Sequence, residues 1–503
     1  MRHIRGNIYG NIYDSVKNVA DIDANRVAIV AESSQMTYGE LWDSSDKLAV
    51  WIKHNIDNNR PLMVYGHKSP YMLVCFLACV KSGHAYCPVD ISMPKDRIQK
   101  IAEIIDNNTV LTTESLELEG FDVVAKDELE AIISRQQVSA DEHWRVSGDE
   151  TFYIIFTSGS TGTPKGVEVS ESNLRNFLRW SSCLAKKYLT RENSVFLNQA
   201  PFSFDLSVFD TYTSLATGGT LVCLDKKLIS NAKDMFEFMK EHKPECWVST
   251  PSFADMCLAD RNFSEELIKD IKVFLFCGET LSKSTAAKLM ERFPHAAIVN
   301  TYGPTESTVA VTSVEITREM IDREGALPIG VSKPGTEVLV ENGEIIILGD
   351  TVAKGYYKDS EKTKVSFGLQ TDSGGMTVKS YRTGDRGYYR EGMLYCEGRL
   401  DFQIKMHGYR IELGDIEENL MKIQGIEGAA VLPKYDEGKI RHLVAFVKAP
   451  TLEGGFRTSK CLKGMLKESL PSYMVPKQFI YLDELPITGN GKLDRKRLEE
   501  QIR

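Results

Sequence analysis

The residues best suited to do chemistry form a loop rich in glycine and hydroxyl side chains. The loop runs from Thr157 to Gly166 and directly follows an apolar run, Tyr153 to Phe156, that is typical of a buried strand. Glycine lets successive backbone N–H groups converge on an anion, while the hydroxyls and Lys165 add donors and a positive charge. This combination predicts a phosphate-binding loop. Its candidate ligand residues are Thr157, Ser158, Gly159, Ser160, Thr161 and Lys165.

The loop differs from the Walker A loop of many nucleotide-binding proteins. That motif needs Gly-Lys-Ser/Thr at the start of a helix, whereas here Pro164 precedes Lys165 and Gly166 follows it. The hydroxyl that would ligate Mg²⁺ in a Walker A loop is therefore missing from its usual place. A flexible Gly/Ser turn is the alternative interpretation, but the position after an apolar strand and the terminal lysine favour phosphate binding.

A second polar segment, Asn300 to Gly303, is suited to bind a nucleobase. The ring of Tyr302 offers a stacking face for a purine, and the amide of Asn300 can match the edge of adenine. Taken in isolation, this segment is more simply interpreted as an ordinary turn that contains a tyrosine.

Length and charge limit the classes of protein and of partner. A chain of 503 residues is long for one hydrophobic core and predicts two or more domains. The 61 basic and 70 acidic residues give a formal charge of -9, which argues against binding of nucleic acid or a membrane surface through basic charge. Small molecules or proteins are the expected partners.

Two further observations concern the cellular compartment. The N-terminal residues lack an apolar signal segment, and the longest apolar stretch, Tyr71 to Val80, is too short to span a bilayer. The ten cysteines show neither CxxC pairs nor the spacing of zinc sites, which predicts reduced core residues. We therefore expect a cytoplasmic protein without direct membrane insertion.

Short apolar runs alternate with amphipathic segments from about Arg26 to Gly349, which is the pattern of an α/β fold. The predicted strands are Leu62 to Tyr65, Val110 to Leu111, Phe152 to Phe156, Ser194 to Leu197, Thr220 to Leu224, Cys246 to Ser249, Val273 to Phe276 and Ala297 to Val299. A helix is predicted over Tyr71 to Ser82. These elements predict helices packed on largely parallel sheets.

The pattern changes after Leu327. Short β-type runs with turns at Glu341-Asn342-Gly343 and Glu391-Gly392 predict a small β-rich region, either a meander or a distorted, barrel-like sheet. From about Arg399 the pattern changes again, to that of a small α+β domain. The predicted elements of that domain are a helix over Ile416 to Ile423 and strands over Gly428 to Leu432 and Leu443 to Val447.

Nine short segments, spread over nearly the whole chain, occur in an order and spacing that chance does not explain. They are Thr37 to Leu41, Lys81 to Asp90, Thr157 to Gly166, Phe204 to Ser207, Asn300 to Glu306, Gly343 through Tyr356, Tyr381 to Asp385, Gly398 to Lys405 and Asn490 to Asp494. In these segments the chain resembles the adenylate-forming enzymes. That superfamily contains nonribosomal adenylation domains, acyl-CoA synthetases and luciferases.

The resemblance implies a fold and a domain arrangement. It implies an N-terminal adenylation core, residues 1–399, of two layered α/β sheets with the β-rich subdomain at about 327–399. It also implies a small mobile α+β domain, residues 400–503, that turns about a hinge near Asp401. In that movement His407 to Glu412 would replace a lysine in the active site and shape a path for a thiol.

The resemblance also implies roles in binding ATP and Mg²⁺. Glu306 matches a glutamate that organises Mg²⁺, a hard cation suited to oxygen ligands. Asp385, which would otherwise be interpreted as a turn residue, matches an aspartate that binds both ribose hydroxyls, and Arg399 offers donors to sugar or phosphate oxygens. The implied nucleotide-binding residues beyond the loop are Asn300, Thr301, Tyr302, Gly303, Pro304, Thr305, Asp385 and Arg399.

Lys492 is the implied catalytic residue, together with Glu306. It matches a lysine that contacts the substrate carboxylate and the phosphate and stabilises charge during displacement at the α-phosphorus. Its place in a glycine-rich turn near the end of the sequence would otherwise suggest a solvated basic tail. Under the resemblance, Lys492 acts in adenylate formation.

The implied substrate is a small amino acid. Asp205 falls where amino-acid-activating relatives place an aspartate that pairs with the α-ammonium group, and a helix N-cap is the alternative. Cys277 falls at a specificity position and fills space that a bulky side chain would need, with Val309 completing the wall beside Tyr302 and Gly303. A plain core cysteine is the alternative for Cys277.

The last motif lies close to the end of the sequence, and no carrier segment follows it. We therefore expect a free-standing enzyme that loads a separate partner. Among its relatives the chain most resembles those that activate D-alanine and transfer it to a phosphopantetheinylated D-alanyl carrier protein for teichoic acids. The handedness of the amino acid does not follow from the motif spacing. The alternatives are activation of another small amino acid, acyl-CoA synthesis, or non-catalytic binding of nucleotide or carrier.

Overall fold

A computed structural model gives the fold of the chain. It describes residues 10–135, 137–159, 163–191, 193–406, 408–436, 439–487 and 493–502. Three candidate site residues, Ser160, Thr161 and Lys492, lie outside these described residues. His407, part of the predicted path for a thiol, also lies outside them.

The strands are numbered in chain order. The first are β1 Val27–Ala31, β2 Ser34–Thr37, β3 Leu62–Gly66, β4 Tyr86–Asp90, β5 Thr109–Thr112, β6 Asp122–Val124, β7 Thr151–Thr157, β8 Lys165–Ser170, β9 Val195–Asn198, β10 Thr220–Cys223, β11 Cys246–Ser249, β12 Val273–Phe276 and β13 Ala297–Tyr302. The others are β14 Thr312–Glu315, β15 Val331–Ser332, β16 Thr336–Glu341, β17 Glu344–Gly349, β18 Gly355–Tyr356, β19 Phe367–Thr371, β20 Thr377–Arg390, β21 Met393–Arg399, β22 Gln403–Met406, β23 Tyr409–Glu412, β24 Gly428–Asp436, β25 Lys439–Lys448 and β26 Gln478–Tyr481.

The helices are numbered in the same way. They are α1 Ile12–Ile22, α2 Tyr38–Asn55, α3 Pro70–Lys81, α4 Lys95–Ile105, α5 Lys126–Ile133, α6 Glu171–Tyr188, α7 Leu206–Thr217, α8 Lys226–Ser230, α9 Ala232–His242, α10 Pro251–Leu258, α11 Lys283–Arg292, α12 Arg318–Asp322, α13 Ser360–Ser366, α14 Leu413–Met421, α15 Phe456–Ser469 and α16 Arg495–Glu499. Local sequence sets several of their starts. The side chain of Ser69 accepts a hydrogen bond from the N–H of Tyr71 and Pro70 occupies the first position of α3, two signals of a helix N-terminus.

The chain divides into two compact units. Unit 1 comprises residues 1–91, 105–155 and 166–400, and unit 2 comprises residues 92–104, 156–165 and 401–503. Unit 1 contains two large sheets. Their strand orders are β15-β14-β13-β12-β11-β9-β10-β1-β2 and β18-β8-β7-β4-β3-β5-β6.

The central strands of both large sheets run parallel. In the nine-stranded sheet, β1, β9, β10, β11, β12 and β13 form parallel pairs, and in the seven-stranded sheet β3, β4, β5, β6 and β7 do so. Every residue of β3, β4, β11 and β12 is buried, which explains why these strands are mostly apolar and show no alternation of apolar and polar residues. The predicted α/β fold with largely parallel sheets is confirmed.

The β-rich part of unit 1 is an antiparallel sheet of β16, β17, β19, β20 and β21. Two of its hairpins turn at the predicted places. Asn342 and Gly343 have φ of 52° and 82°, and Glu391 and Gly392 have φ of 52° and 74°. Two successive residues with positive φ form the tight turn that suits the twist of paired strands.

Unit 2 contains two small sheets of its own. β22 pairs with β23, while β24, β25 and β26 form a three-stranded sheet that carries α14, α15 and α16 in the same unit. Residues such as Ile416, Val431 and Ala445 form its apolar core. This agrees with the helix and the two strands predicted there from apolar periodicity.

The structure bears on two predictions made from the composition, which concern the cysteines and membrane-spanning helices. None of the ten cysteines, all of which lie in the described part of the chain, forms a disulfide, and seven of them are buried. Among the helices of the described residues, none is both long and apolar enough for a bilayer span.

The strand that leads to Cys277 provides a test of the core. Phe274 in β12 is fully buried and packs against Trp247 and Phe293, with ring centroids 5.4 Å and 5.0 Å away. We expect Phe274→Ala to lower the free energy of unfolding by about 3–5 kcal/mol, measured by urea denaturation. As a control, Leu369→Ala should change it by less than about 0.5 kcal/mol, because Leu369 is 70% exposed. Equal losses in both variants would contradict this account of the core.

Candidate active site

Four neighbouring strands of unit 1 end at one edge of the nine-stranded sheet, where the candidate substrate residues follow them. β9, β11, β12 and β13 are adjacent and parallel, so their carboxyl ends share this edge. Cys277 directly follows β12, Gly303 directly follows β13, and a loop leads from β9 to Asp205. Ligands of open α/β sheets bind outside the carboxyl ends of parallel strands. The topology therefore brings the substrate candidates to a position suited to bind a ligand.

Asp205 lies at the N-terminal end of α7 and is buried, with 7% of its surface exposed. Asp205 is the N-cap residue of α7, as the alternative interpretation predicted, but among the described residues its side chain makes no capping hydrogen bond to this helix. Burial raises the pKa of the Tyr153 hydroxyl well above its usual value, and the charge of Asp205 raises it further. A buried carboxylate makes stronger charge-assisted contacts than one in water, which makes Asp205 suited to bind a cationic group.

Cys277 and Val309 contact each other and are both buried. The thiol of Cys277 donates a weak hydrogen bond to the carbonyl oxygen of Val309 over 3.7 Å. Gly278 follows with a φ of 90°, and a Cβ atom there would lie 3.6 Å from Thr250 and 3.8 Å from the ring of Phe204. Cys277 and Gly278 therefore limit the space beside the loop that carries Asp205.

The turn between Glu306 and Val311 contains local backbone strain. Thr308 and Val309 have φ of 58° and 70°, although both are β-branched and such residues rarely adopt this conformation. The Thr308 hydroxyl donates to the carbonyl oxygen of Thr351 at 2.7 Å, which helps to hold the turn. Strain of this kind clusters at functional sites and costs about 1–3 kcal/mol for each residue.

Glu306 is completely buried in a short 3₁₀ helix, Thr305–Ser307. The hydroxyl of Tyr356 donates to Glu306 Oε1 at 2.8 Å, and the N–H of Ala353 donates to the Glu306 carbonyl oxygen at 2.9 Å. These contacts fix the position of the carboxylate. Carboxylate oxygens are hard ligands of the type that Mg²⁺ prefers, so the donor chemistry of Glu306 fits such an ion.

Asp385 lies in the long strand β20 and is joined to two other candidate residues. The Tyr302 hydroxyl donates to Asp385 Oδ2 at 2.5 Å, and Arg399 donates to Asp385 Oδ1 at 2.9 Å and to the Thr383 carbonyl oxygen at 3.1 Å. Burial raises the pKa of Tyr302 well above its usual value, and Asp385 raises it further. The phenol therefore stays protonated and acts as a donor.

The remaining candidates of the Asn300–Thr305 segment lie next to these groups. The Asn300 amide donates to the carbonyl oxygen of Pro328 at 2.8 Å, and the Thr301 hydroxyl donates to that of Phe276 at 2.8 Å. Pro304 precedes the 3₁₀ helix, and Thr305, which begins it, is 7% exposed. The NH₂ group of Asn300 therefore makes a hydrogen bond within the fold. The sequence did not predict this contact.

The described residues of the phosphate loop from Thr157 to Lys165 belong to unit 2. The loop leaves the end of β7 at Thr157, whose hydroxyl lies 3.5 Å from the carbonyl oxygen of Lys165 at the start of β8. A Cβ atom on Gly159 would lie 2.0 Å from the carbonyl oxygen of Thr163, so only glycine fits there. The backbone at Gly159 therefore approaches the backbone at Thr163 closely.

Strand β23 of the same unit contacts this loop. The Ser158 hydroxyl donates to the Arg410 carbonyl oxygen at 2.8 Å and accepts from the N–H of Glu412 at 3.1 Å. Lys165 Nζ lies 3.3 Å from Glu412 Oε1, which also accepts from Gln403 at 2.5 Å. The segment predicted to shape a path for a thiol is therefore in contact with two of the predicted phosphate ligands.

One residue and one contact of the site were not predicted from the sequence. Tyr356 belongs to a recognised motif, but only the structure shows that its hydroxyl bonds to Glu306. Likewise, nothing in the sequence linked Tyr302 to Asp385 across 83 positions. Only membership of shared motifs could have indicated these pairs.

Comparison with known proteins identifies families and relatives that the whole chain resembles. The sequence matches the AMP-binding enzyme family over residues 16–357 and the AMP-binding enzyme C-terminal domain over residues 415–492. It is 43% identical to the D-alanine--D-alanyl carrier protein ligase of Bacillus licheniformis, over 98% of this chain and 99% of that protein. It is 45% identical to the protein of the same name from Listeria monocytogenes, over 93% of this chain and 94% of that protein.

A solved structure shows the same fold. A nonribosomal peptide synthetase protein containing adenylation and PCP domains, bound to a vinylsulfonamide inhibitor, aligns with a TM-score of 0.83. The two chains are 26% identical, and the alignment covers 99% of this chain and 85% of the other.

Gly303 tests the close packing of the strained turn. A Cβ atom on Gly303 would lie 2.6 Å from Ala310 Cα and 2.8 Å from the Val309 carbonyl oxygen. We expect Gly303→Ala to lower the free energy of unfolding by about 1–3 kcal/mol, measured by thermal or urea unfolding. The matched control is Gly464→Ala in α15, where nothing lies within 4 Å of the added atom. That change should stabilise the helix by about 0.5–1 kcal/mol. If Gly303→Ala stabilised the protein, the close approach of Gly303 to the backbone of Val309 and Ala310 would be contradicted.

Proposed function

Because the chain belongs to the AMP-binding enzyme family, we propose that it activates D-alanine with ATP and loads it onto a separate carrier protein. In the first step D-alanine and ATP give D-alanyl adenylate and pyrophosphate. In the second step the phosphopantetheine thiol of the carrier attacks the acyl carbon, forming a thioester and releasing AMP. The observation that carries this proposal is the identity of 43% over 98% of the chain to a relative named for that reaction.

A buried carboxylate binds the amino acid, and two buried side chains limit the size of the substrate side chain. Asp205 pairs with the α-ammonium group, a charge-assisted contact that a fatty acid would lack. Cys277 and Val309 occupy the space that a longer side chain would need, since both are buried and in contact. Small apolar pockets discriminate by only about 1–3 kcal/mol for each methylene, so other small amino acids should react slowly rather than not at all.

The nucleotide is bound by the tyrosine, aspartate and arginine that the structure brings together. Asp385 accepts hydrogen bonds from the ribose hydroxyls and is held in place by Tyr302 and Arg399. The ring of Tyr302 lies beside the adenine, together with Asn300 and Thr301. Because Arg399 already contacts Asp385, it acts on the ribose side of the nucleotide.

Glu306 is the residue of this site that would hold Mg²⁺. The ion supplies charge neutralisation for the phosphates when bound. Tyr356 keeps one carboxylate oxygen of Glu306 oriented by a 2.8 Å hydrogen bond. An oriented, buried carboxylate is better prepared to bind a cation than one that samples several rotamers.

The phosphate loop and the C-terminal region serve the two steps in turn. Thr157, Ser158, Gly159, Ser160, Thr161 and Lys165 bind the phosphates, and Lys492 stabilises the developing charge in adenylate formation. Lys165 is paired with Glu412 in the structure, so phosphate must share or displace that partner. Movement of residues 400–503 about Asp401 exchanges the lysine for the segment that admits the thiol.

The carrier is a phosphopantetheinylated D-alanyl carrier protein, and the D-alanine that it receives is destined for teichoic acids. The names of the relatives support the carrier, because each is called a D-alanyl carrier protein ligase. The reaction consumes ATP, so we place it in the cytoplasm.

The first half-reaction can be tested with pyrophosphate exchange. Purified enzyme with ATP and Mg²⁺ should incorporate labelled pyrophosphate into ATP most rapidly with D-alanine. The panel also contains L-alanine, D-serine, glycine and short fatty acids. The other amino acids of the panel should give exchange rates lower than that of D-alanine by about 10- to 200-fold. Preference for another amino acid would move the assignment to a different substrate, and preference for a fatty acid would remove the role of Asp205. If the folded enzyme catalysed no exchange with any compound of the panel, a role as a binding protein would be favoured.

Lys492→Ala separates the two half-reactions. It should reduce adenylate formation by at least about 100-fold, because the lysine stabilises the transition state of that step. Transfer to the carrier from preformed D-alanyl adenylate should remain within about threefold of the parent enzyme, since the lysine has no role there. Lys496→Ala, at an exposed position of α16, is the matched control and should leave both steps unchanged. Equal loss of both steps in Lys492→Ala would contradict the division of roles.

A further inference from the structure

A buried lysine contacts the loop that carries Asp205. Lys68, between β3 and α3, is 4% exposed. Its ammonium group donates to the side-chain oxygen of Asn198 and to the carbonyl oxygen of Ala200. Burial lowers the pKa of Lys68 below its usual value, and nearby acidic groups, Asp210 among them, offset part of that effect. A cation is thus held in the core by a small number of specific contacts.

The acceptors of Lys68 belong to the loop that leads to Asp205. Asn198 is the last residue of β9, and Ala200 lies in the loop of residues 199–205 that follows it. The carbonyl of Ala200 is a backbone group of that loop, so its contact with Lys68 fixes the path of the chain. One buried ammonium group therefore holds the strand end and the loop together.

The same lysine is linked to the helix on the other side of Asp205. The Asn198 amide donates to Asp210 Oδ1 at 2.7 Å, and Asp210 lies in α7, which begins directly after Asp205. Asn198 and Asp210 are both fully buried. Among the described residues Asp210 Oδ2 has no hydrogen-bond partner. Burial raises the pKa of Asp210 above its usual value, and the positive charge of Lys68 offsets part of that effect. Lys68 thus holds the segments before and after Asp205.

Ring packing supports the same loop. The ammonium group of Lys68 lies 4.5 Å from the centroid of the Phe202 ring, within the range of a cation–π contact. Phe202 also packs edge-on against Phe76 of α3, with centroids 5.6 Å apart. Residues 68–76 therefore contact the loop at its backbone and at the ring of Phe202.

We propose that Lys68 is a positioning residue for amino-acid binding, which sets the place of the Asp205 carboxylate by holding the loop of residues 199–205. This rests on the proposed function, because it takes Asp205 to be the group that binds the substrate ammonium. Lys68 does not touch the substrate in this account. Its loss lets the loop shift, and the carboxylate then meets the ammonium group in a poorer geometry.

The physical consequence of removing Lys68 has two separable parts. Lys68→Met leaves the Asn198 and Ala200 oxygens without their donor. It also removes the positive charge that opposes the rise of the Asp210 pKa on burial, so that Asp210 has to take up a proton or stay charged without compensation. The first effect displaces the loop, and the second destabilises the fold. The double variant Lys68→Met/Asp210→Asn removes the uncompensated charge but does not restore the donor to Ala200.

The experiment compares these variants with a matched buried lysine. Lys81 is fully buried and its ammonium group contacts Asp46 at 2.9 Å and Ser45 at 2.8 Å, so Lys81→Met also breaks a buried ion pair. The measurements are the melting temperature and the KM values for D-alanine and for ATP in pyrophosphate exchange.

We expect Lys68→Met to raise the KM for D-alanine by about tenfold and to change the KM for ATP by less than about twofold. Lys81→Met should lower the melting temperature without changing either KM. The double variant should recover the melting temperature and keep the raised KM for D-alanine, and it replaces Lys68→Met if that variant does not fold.

Three results would overturn the positioning role of Lys68. They are an unchanged KM for D-alanine in Lys68→Met, a recovered KM in the double variant, and an equal rise of KM in Lys81→Met. Asp205→Ala is measured in parallel to separate this inference from the proposed function. If Asp205→Ala raises the KM for D-alanine and Lys68→Met does not, Lys68 alone loses its role. If the parent enzyme shows no exchange with D-alanine, the proposed function itself fails.

Discussion

Burial of negative charge is the constraint on which the rest of the site depends. Asp205, Glu306 and Asp385 expose 7%, 0% and 4% of their surfaces, and a carboxylate removed from water is costly unless other groups compensate it. Two tyrosine hydroxyls and one guanidinium group supply hydrogen bonds to the last two. These partners come from distant parts of the chain. The layered sheets and the antiparallel subdomain therefore have to form correctly before the carboxylates can be held in one place.

The same constraint explains features that look unfavourable when taken alone. Thr308 and Val309 adopt left-handed backbone conformations, and Gly303 permits a backbone approach that no side chain would allow. Together they direct the turn after β13 so that Glu306 points into the protein and the Val309 carbonyl meets the thiol of Cys277. Local strain is thus balanced by the packing of the surrounding sheet. A looser turn would relieve the strain, but it would also lose the contact between Val309 and Cys277.

The sequence predicted the elements well where the physical signal is local. Continuous apolar runs identified the buried parallel strands, as at Val273–Phe276, and paired turn residues such as Asn342 and Gly343 identified the hairpins. Pairings between distant residues were not predictable, because periodicity carries no information on them. The bond between Lys68 and Asn198 joins residues 130 positions apart and neither residue belongs to a motif. Roles taken from motifs, such as that of Lys492, remain predictions until they are measured.

The most direct test of the central claim is the intact mass of the carrier protein after reaction. Phosphopantetheinylated carrier is incubated with the enzyme, ATP, Mg²⁺ and an equimolar mixture of isotopically distinguished D-alanine and L-alanine. The account predicts that the carrier gains the mass of one alanyl group, drawn from the D-isomer, and that carrier without phosphopantetheine gains none. Loading mainly from L-alanine, or no loading by an enzyme that forms D-alanyl adenylate, would contradict it.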